Sequence, residues 1–130
     1  MLTRIASALL IACTLLLGAC SSRPVHDVQR NDIPPGLTQS QVEQAILTAL
    51  QNRRWTVLER QPGLVVASIL QRQRYRAVIE IPYSARGYQI RHRSSENLDY
   101  RNGRIHRTYN NWIVHLDRSI QQALGMTPQR

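Results

Sequence analysis

The spacing of apolar residues along this chain changes twice, and each change predicts a different kind of element. From Val42 onward apolar residues recur at intervals of three and four, which is helical spacing. Thr38 and Ser40 are both candidate N-caps, so the first helix is predicted over residues 39–53. The same helical spacing returns over residues 105–124 and predicts a second helix.

Between these helices the apolar period falls to two, which is typical of strands with one buried face. Strands are expected at residues 55–60, 64–71, 74–83 and from 88 onward. A four-residue hairpin loop at 84–87 would place Glu80 opposite Arg91 as an exposed ion pair. The predicted fold is therefore α+β: a helix, a four-stranded antiparallel meander and a helix, with both helices on one sheet face.

The N-terminal segment has a different pattern, since Arg4 is followed by an almost continuous apolar run over residues 5–17. That layout is typical of a secretory signal, and the run is short for a helix crossing a hydrocarbon core of about 30 Å. The alternatives are a transmembrane helix and an ordinary signal with an accidental cysteine.

The end of that run, Leu17-Gly18-Ala19-Cys20, resembles the lipobox of bacterial lipoproteins. The resemblance implies cleavage before Cys20 and a diacylglyceryl and N-acyl lipid on it, with no other cofactor. The residue after the cysteine is Ser21 rather than aspartate, which by resemblance to enterobacterial lipoprotein sorting favours an outer-membrane anchor facing the periplasm.

Four regions follow from these patterns. They are a signal peptide at 1–19, a lipidated cysteine and flexible tether at 20–36, one α+β domain at 37–125, and a tail at 126–130. The tether is predicted because residues 20–36 carry three prolines and little apolar periodicity. Cys13 would leave with the signal, so no disulfide is expected.

The charge is strongly positive, with a formal net charge of +9 and arginine at all 17 cationic positions. Guanidinium groups favour bidentate contact with phosphate and carboxylate, which indicates an anionic partner such as a lipid headgroup or envelope polymer. A codon bias towards arginine would give the same composition. Nucleic acid is excluded as a partner by the predicted export.

Strand alternation predicts a basic patch on the sheet face away from the helices, composed of Arg72, Arg74, Arg76, Arg91 and Arg93. The strand at 64–71 is apolar on both faces, which indicates that part of this outer face is an interface. An envelope protein or a second copy of the chain are the candidate partners there.

Candidate catalytic and metal-ligating residues do not assemble into a convincing site. His106 and Asn110 have i, i+4 spacing, but no third ligand is evident, and His115 stands alone. Ser94, Ser95 and Asp99 lack the strand-turn-helix setting of a nucleophile. We therefore expect no catalytic residues, no metal and no enzyme activity.

Tyr109 and Trp112 fall on the apolar stripe of the second helix and are expected to be core residues. The segments Ser95-Glu96-Asn97-Leu98, Ile105-His106 and Tyr109-Asn110-Asn111-Trp112 also resemble a group of small, uncharacterised proteobacterial lipoproteins. That resemblance implies the lipobox, the fold and the envelope location, but no activity. The expected function is a lipid-anchored, non-enzymatic binding or adaptor module. Arginine-mediated binding of anionic glycolipid or lipid phosphates is the alternative, and a hydrolase is the third hypothesis.

Overall fold

The computed structural model describes residues 21–128, which form seven strands and two helices. In chain order the elements are β1 (Ser22–Pro24), β2 (Val28–Arg30), α1 (Gln39–Asn52), β3 (Thr56–Gln61), β4 (Leu64–Gln71), β5 (Tyr75–Pro82), β6 (Tyr88–Glu96), β7 (Arg104–His106) and α2 (Arg107–Ala123). The predicted signal and Cys20 lie outside these residues.

A five-stranded antiparallel sheet in the order β2-β6-β5-β4-β3 is the centre of the fold. The coarse prediction, an α+β domain with two helices and an antiparallel sheet, is confirmed. The four-stranded meander is wrong in one respect, because β2 adds a fifth strand beside β6. A separate two-stranded ribbon joins β1 to β7.

The core forms where alternate strand residues meet both helices. Ile79, Ile81 and Ile90 have no exposed surface, and they belong to the same apolar cluster as Ile46 of α1 and Ile113 of α2. Each buried aliphatic side chain of this size stabilises the fold by about 1.5–3 kcal/mol relative to leaving it in water. The alternation in the sequence therefore identifies the buried face correctly.

Helix boundaries follow their capping residues. At α1 the Thr38 hydroxyl accepts from the Gln41 N–H, and the Gln41 side chain accepts from the Thr38 N–H, which completes a capping box. At α2 the prediction began too early. Ile105 lies in β7, and the His106 ring caps the helix by accepting from the Thr108 N–H at 3.2 Å.

Residues 20–36 were predicted to be a flexible tether, and for much of this segment that prediction is wrong. Both β1 and β2 lie within it, and Val28 and Ile33 are buried in the core. Strands of three residues are too short to show a period, and their backbone partners lie more than 50 residues away in the chain. Local sequence therefore carries little signal for them.

Gly87 allows the N-terminal segment to cross the hairpin between β5 and β6. A Cβ atom at this position would lie 2.4 Å from the carbonyl oxygen of Arg30, which is too close for any side chain. Next to this crossing, the Ile33 N–H donates to the carbonyl of Arg86 at 3.2 Å. The predicted loop at 84–87 is confirmed, with Ser84 donating to the Gly87 carbonyl at 2.9 Å.

A buried polar cluster around Asp117 joins β2, β6 and α2. The Asp117 carboxylate accepts from the Tyr88 hydroxyl at 2.6 Å, from the Arg30 guanidinium at 2.7 Å and from the Gln121 amide at 3.2 Å. Only 5% of Asp117 is exposed, so these donors replace the water that it loses. The hydrogen bond to Asp117 also raises the pKa of Arg30.

Two buried tyrosines provide a matched test of this cluster. Tyr88 donates to Asp117, whereas the Tyr109 hydroxyl is the single buried side-chain polar atom without a partner within residues 21–128. Tyr88→Phe should lower the free energy of unfolding by about 1.5–3 kcal/mol, since a hydrogen bond to a charged group is lost. Tyr109→Phe should be neutral or stabilising by up to about 1 kcal/mol. Urea denaturation of both variants checks this, and equal losses would contradict the assignment.

Candidate functional site

A groove of about 470 Å³ opens at the end of the sheet where β4 turns into β5. We call it the basic groove. The residues that determine its chemistry are Arg72, Arg74, Tyr75, Asp99, His106 and Trp112. Two cations, one carboxylate and two aromatic rings suit a ligand that carries negative charge beside a flat or apolar surface.

The turn that presents the two cations has a specific backbone conformation. Arg72 and Gln73 both have positive φ, at 53° and 54°, and the Arg74 N–H donates to the Gln71 carbonyl at 3.1 Å. Two consecutive left-handed residues close a tight hairpin, although glycine or asparagine is usual there. The strain is of the kind found where a loop is shaped for binding.

This turn is held against the segment that follows β6. The Asn97 side-chain amide donates to the Arg74 carbonyl at 2.8 Å. In addition, the Arg74 guanidinium lies 5.6 Å from the centre of the Tyr75 ring, within the range of a cation–π contact. Arg72 and Arg74 thus remain exposed while the backbone beneath them is fixed.

A second, shallower groove of about 220 Å³ continues from the first. Gln71 and Trp112 line both grooves, so they form one surface at this end of the domain. The second groove adds Arg53, Arg54 and His115. Arg53 is oriented by a hydrogen bond from its Nε to the Ser119 hydroxyl at 2.7 Å.

Tyr109 and Trp112, both expected to be core residues, have different environments. Tyr109 is fully buried, as predicted, and burial raises the pKa of its hydroxyl. Trp112 is only half-buried; one part of its side chain packs against the core and another lines both grooves. Helical spacing indicates which side a residue faces but not how far the neighbouring elements cover it.

The predicted patch of five arginines is divided by the structure. Arg72 and Arg74 line the basic groove, whereas Arg76, Arg91 and Arg93 lie along β5 and β6. Acidic residues lie among them on those strands: Glu96 is opposite Arg76 in the strand register, and the Arg93 guanidinium lies 3.6 Å from Glu80. This part of the outer face therefore has mixed charge.

Glu80 and Arg91 do face each other in register, as the hairpin predicted. The predicted ion pair between them is nevertheless wrong. Arg91 donates to the Gln89 amide oxygen at 2.7 Å, and Glu80 pairs with Arg93 instead. A register shift between Val78 and Ile79 inserts an extra residue into β6 and is the reason for the exchange.

The candidate metal ligands have structural partners instead. His106 caps α2, and Asn110 binds the N-terminal segment through both ends of its amide. The Asn110 oxygen accepts from the His26 N–H at 2.9 Å, and its nitrogen donates to the Pro24 carbonyl at 2.9 Å. Within residues 21–128 no group of three histidine, cysteine or acidic side chains is placed to hold a metal.

One candidate catalytic serine does contact a histidine. The His92 Nε2 lies 3.0 Å from the Ser95 hydroxyl, and its ring packs on Tyr100 and Tyr109. The nearby carboxylate of Asp27 accepts from the main-chain N–H of His92 at 3.4 Å, so it does not orient the imidazole. Neither His92 nor Ser95 lines the basic groove. Strict alternation would place residues 92 and 95 on opposite faces of the strand. The extra residue in β6 places both on one face, opposite Ile79 and Ala77, which is why sequence reasoning missed this contact.

Comparison with protein-family models, curated proteins and solved structures found no match for this chain. The resemblance to small proteobacterial lipoproteins therefore remains a prediction. The helices of the described part of the chain include none that is long and apolar enough to span a membrane.

His92 should make the stability of the domain sensitive to mild acid. Burial lowers the pKa of His92, although the charge of Asp27 opposes the shift. His92 has its ordinary pKa of about 6.5 in the unfolded chain and a lower pKa in the folded domain. Above about pH 6.5 it is neutral in both states, and the domain has its full stability. As the pH falls towards the lowered pKa, the unfolded chain binds a proton first, so the free energy of unfolding decreases. Denaturation at pH 7.5 and 5.5 should show this decrease.

His92→Gln should reduce that decrease, because glutamine does not titrate. His115→Gln, at an exposed position on α2, is the matched control and should retain it. An identical pH dependence in the protein and in His92→Gln would contradict the role of His92.

Proposed function

We propose that this protein is a lipid-anchored envelope lipoprotein whose domain binds an anionic glycan or glycolipid, without catalysis, in the basic groove. The observation that carries the proposal is the pairing of Arg72 and Arg74 with the Trp112 side chain around one opening. The arginines are exposed, and the backbone that carries them is fixed by Asn97. Such a site is prepared before its ligand arrives, which reduces the entropy lost on binding.

The ligand class follows from the chemistry of the lining. Guanidinium groups form paired hydrogen bonds with phosphate or carboxylate oxygens, and hydrogen bonds to charged groups contribute about 1.5–3 kcal/mol each. The half-buried Trp112 and Tyr75 offer flat apolar surface for the ring of a sugar. A phosphorylated or carboxylated glycan of the cell envelope combines both features.

Asp99 at the edge of the basic groove limits which anions bind well. Its carboxylate is exposed and faces the same opening as Arg72 and Arg74. A ligand with hydroxyl groups beside its charged group can donate to Asp99, whereas a bare multivalent anion is repelled by it. This arrangement favours a sugar phosphate over a simple phosphate ion.

The anchor is the second half of the proposal. Cys20 is the single cysteine that would remain after cleavage, so its thiol is the site for the diacylglyceryl group. The two or three acyl chains of such a group hold a protein stably at a membrane, whereas one chain alone does not. We propose the outer membrane, with the domain in the periplasm.

An adaptor that binds a protein through the outer sheet face is the second candidate. Leu58 and Leu70 support it, because they are 51% and 59% exposed at neighbouring strands. The mixed charges of Arg93 and Glu80 could form the polar rim of such an interface. A second copy of the chain is one partner that this surface would fit.

Cys20→Ala should abolish the anchor while leaving the fold intact. Cells grown with labelled palmitate should incorporate it into the normal protein but not into this variant. Intact mass of the purified protein gives the lipid directly. Incorporation of palmitate into Cys20→Ala would contradict lipidation at this residue.

Arg72→Ala with Arg74→Ala should weaken salt-sensitive binding to purified lipopolysaccharide by about 10- to 100-fold, from the loss of one or two charge-assisted bonds. The matched control is Arg91→Ala with Arg93→Ala, which removes the same charge from the outer face. Binding is measured by flotation with the unlipidated chain beginning at Ser21, because acyl chains on Cys20 would float the protein whatever the groove binds. Equal losses in both variants would show that net charge alone is responsible. A loss confined to the control would contradict the basic groove and assign lipopolysaccharide binding to the outer sheet face.

A further inference from the structure

The chain is bonded to the domain from its first described residue. The Ser21 carbonyl accepts from the Arg107 N–H at 2.9 Å, and Ser22 is paired with His106 in the ribbon of β1 and β7. Two residues further along, the Asn110 side chain holds both Pro24 and His26. The backbone from Ser21 onward is therefore part of the folded domain.

This attachment fixes the position of the proposed anchor. Cys20 directly precedes Ser21, and consecutive Cα atoms are about 3.8 Å apart. A lipid on Cys20 would therefore bring the bilayer surface to the ribbon itself, with no tether between them. We infer that the end of the domain formed by β1, β7 and the loop at 99–103 is a docking face for anionic lipid headgroups. The inference rests on the proposed lipidation of Cys20.

The side chains at this end suit that partner. The docking face includes the exposed cations Arg23, Arg101 and Arg104, and Arg107 adds a fourth at the start of α2, directly after β7. Arg104 is held in place by its own hydrogen bonds to the Ser22 hydroxyl at 3.1 Å and the Ser22 carbonyl at 3.0 Å. Close to an anionic membrane, each such cation strengthens surface binding by about fivefold.

Tyr100 adds an aromatic contact to these cations. It is 52% exposed and lines a cavity of about 420 Å³ together with Ser22, Arg101 and Arg104. Tyrosine rings favour the interface between headgroups and acyl chains, where an apolar ring and a polar hydroxyl are both accommodated. Exposure of such a ring beside arginines therefore fits a membrane surface better than free solvent.

The opposite end of the domain has a different charge distribution. Strand β5 extends over eight residues, which places the turn at 84–87 about 25 Å from the β4–β5 turn. Towards that far end, Arg60 is paired with Glu43 and Arg30 with Asp117. Two of the cations at that end are thus neutralised and Arg86 is exposed, whereas all four cations of the docking face are exposed.

Docking would also give the basic groove a defined environment. Asp99 lines both the basic groove and the cavity beside Arg101 and Arg104, so the two surfaces are adjacent. A domain held by this end would open its groove at the level of the headgroups. The glycan part of a membrane glycolipid would then reach Arg72 and Arg74 without leaving the bilayer.

Depth measurements with single labels test this orientation. In the mature lipoprotein the thiol of Cys20 carries the lipid, so a cysteine introduced elsewhere is labelled selectively. Pro24→Cys and Asn102→Cys place a fluorophore at two exposed positions of the docking face, and Ser84→Cys places one at the far turn. The proteins are reconstituted in phosphatidylethanolamine vesicles containing phosphatidylglycerol and a headgroup-labelled quenching lipid.

We expect the labels at 24 and 102 to be quenched at least fivefold more strongly than the label at 84. Arg23→Gln, Arg101→Gln and Arg107→Gln together should reduce the quenching at 102, whereas the label at 24, four residues from the lipid, should remain quenched. Arg86→Gln at the far turn should change neither. Equal quenching at all three labels, or none, would overturn the docking face. Intact mass distinguishes the two proposals: a protein without lipid overturns the anchor itself, whereas a lipidated protein with unquenched labels overturns only the docking.

Discussion

The rest of the structure depends on the hydrogen bonds that the buried carboxylate of Asp117 accepts. An unpaired charge in this position would be strongly unfavourable, and removing one partner from a buried pair typically costs about 3–5 kcal/mol. Arg30, Tyr88 and Gln121 meet that requirement from β2, β6 and α2. Arg30 and Tyr88 reach the carboxylate from two strands, and Gln121 reaches it from the next turn of the same helix. The cluster therefore specifies one arrangement of β2, β6 and α2.

This cluster determines where the N-terminal segment lies, and thereby where the candidate sites are. Because Arg30 binds Asp117, β2 completes the sheet beside β6, and the preceding residues are directed towards Asn110 and β7. The proposed anchor and the basic groove consequently meet at one end of the domain. A polar interaction in the core thus sets the orientation of a surface that it does not touch.

Sequence pattern predicts those elements whose partners lie nearby and fails where they are remote. Strand β4, the loop at 84–87 and the capping box at Thr38 all follow from local spacing, and the structure bears them out. Strands β1 and β2 could not be predicted, since three residues show no period and their stability depends on distant backbone.

The candidate site shows the same division. That Arg72 and Arg74 are exposed follows from their position in a turn. Their separation from Arg91 and Arg93 follows from the register of β5 and β6, which places Arg91 opposite Glu80, six residues along the chain from Arg74. Strict alternation treats all five arginines as one surface. Neither the bulge nor the contact between His92 and Ser95 has a signature in composition or spacing.

The bond between Arg30 and Asp117 joins residues 87 positions apart and so constrains the order of folding. The ribosome synthesises β2 early. Its partner strand β6 and the Asp117 carboxylate that binds Arg30 are synthesised late, and Asp117 belongs to the final helix. Closing so long a loop is slow, and until it closes the edge of β6 is uncovered. Synthesis must therefore reach the last turns of α2 before the first strand has a stable place. Such a chain therefore remains without its native tertiary structure until synthesis is almost complete.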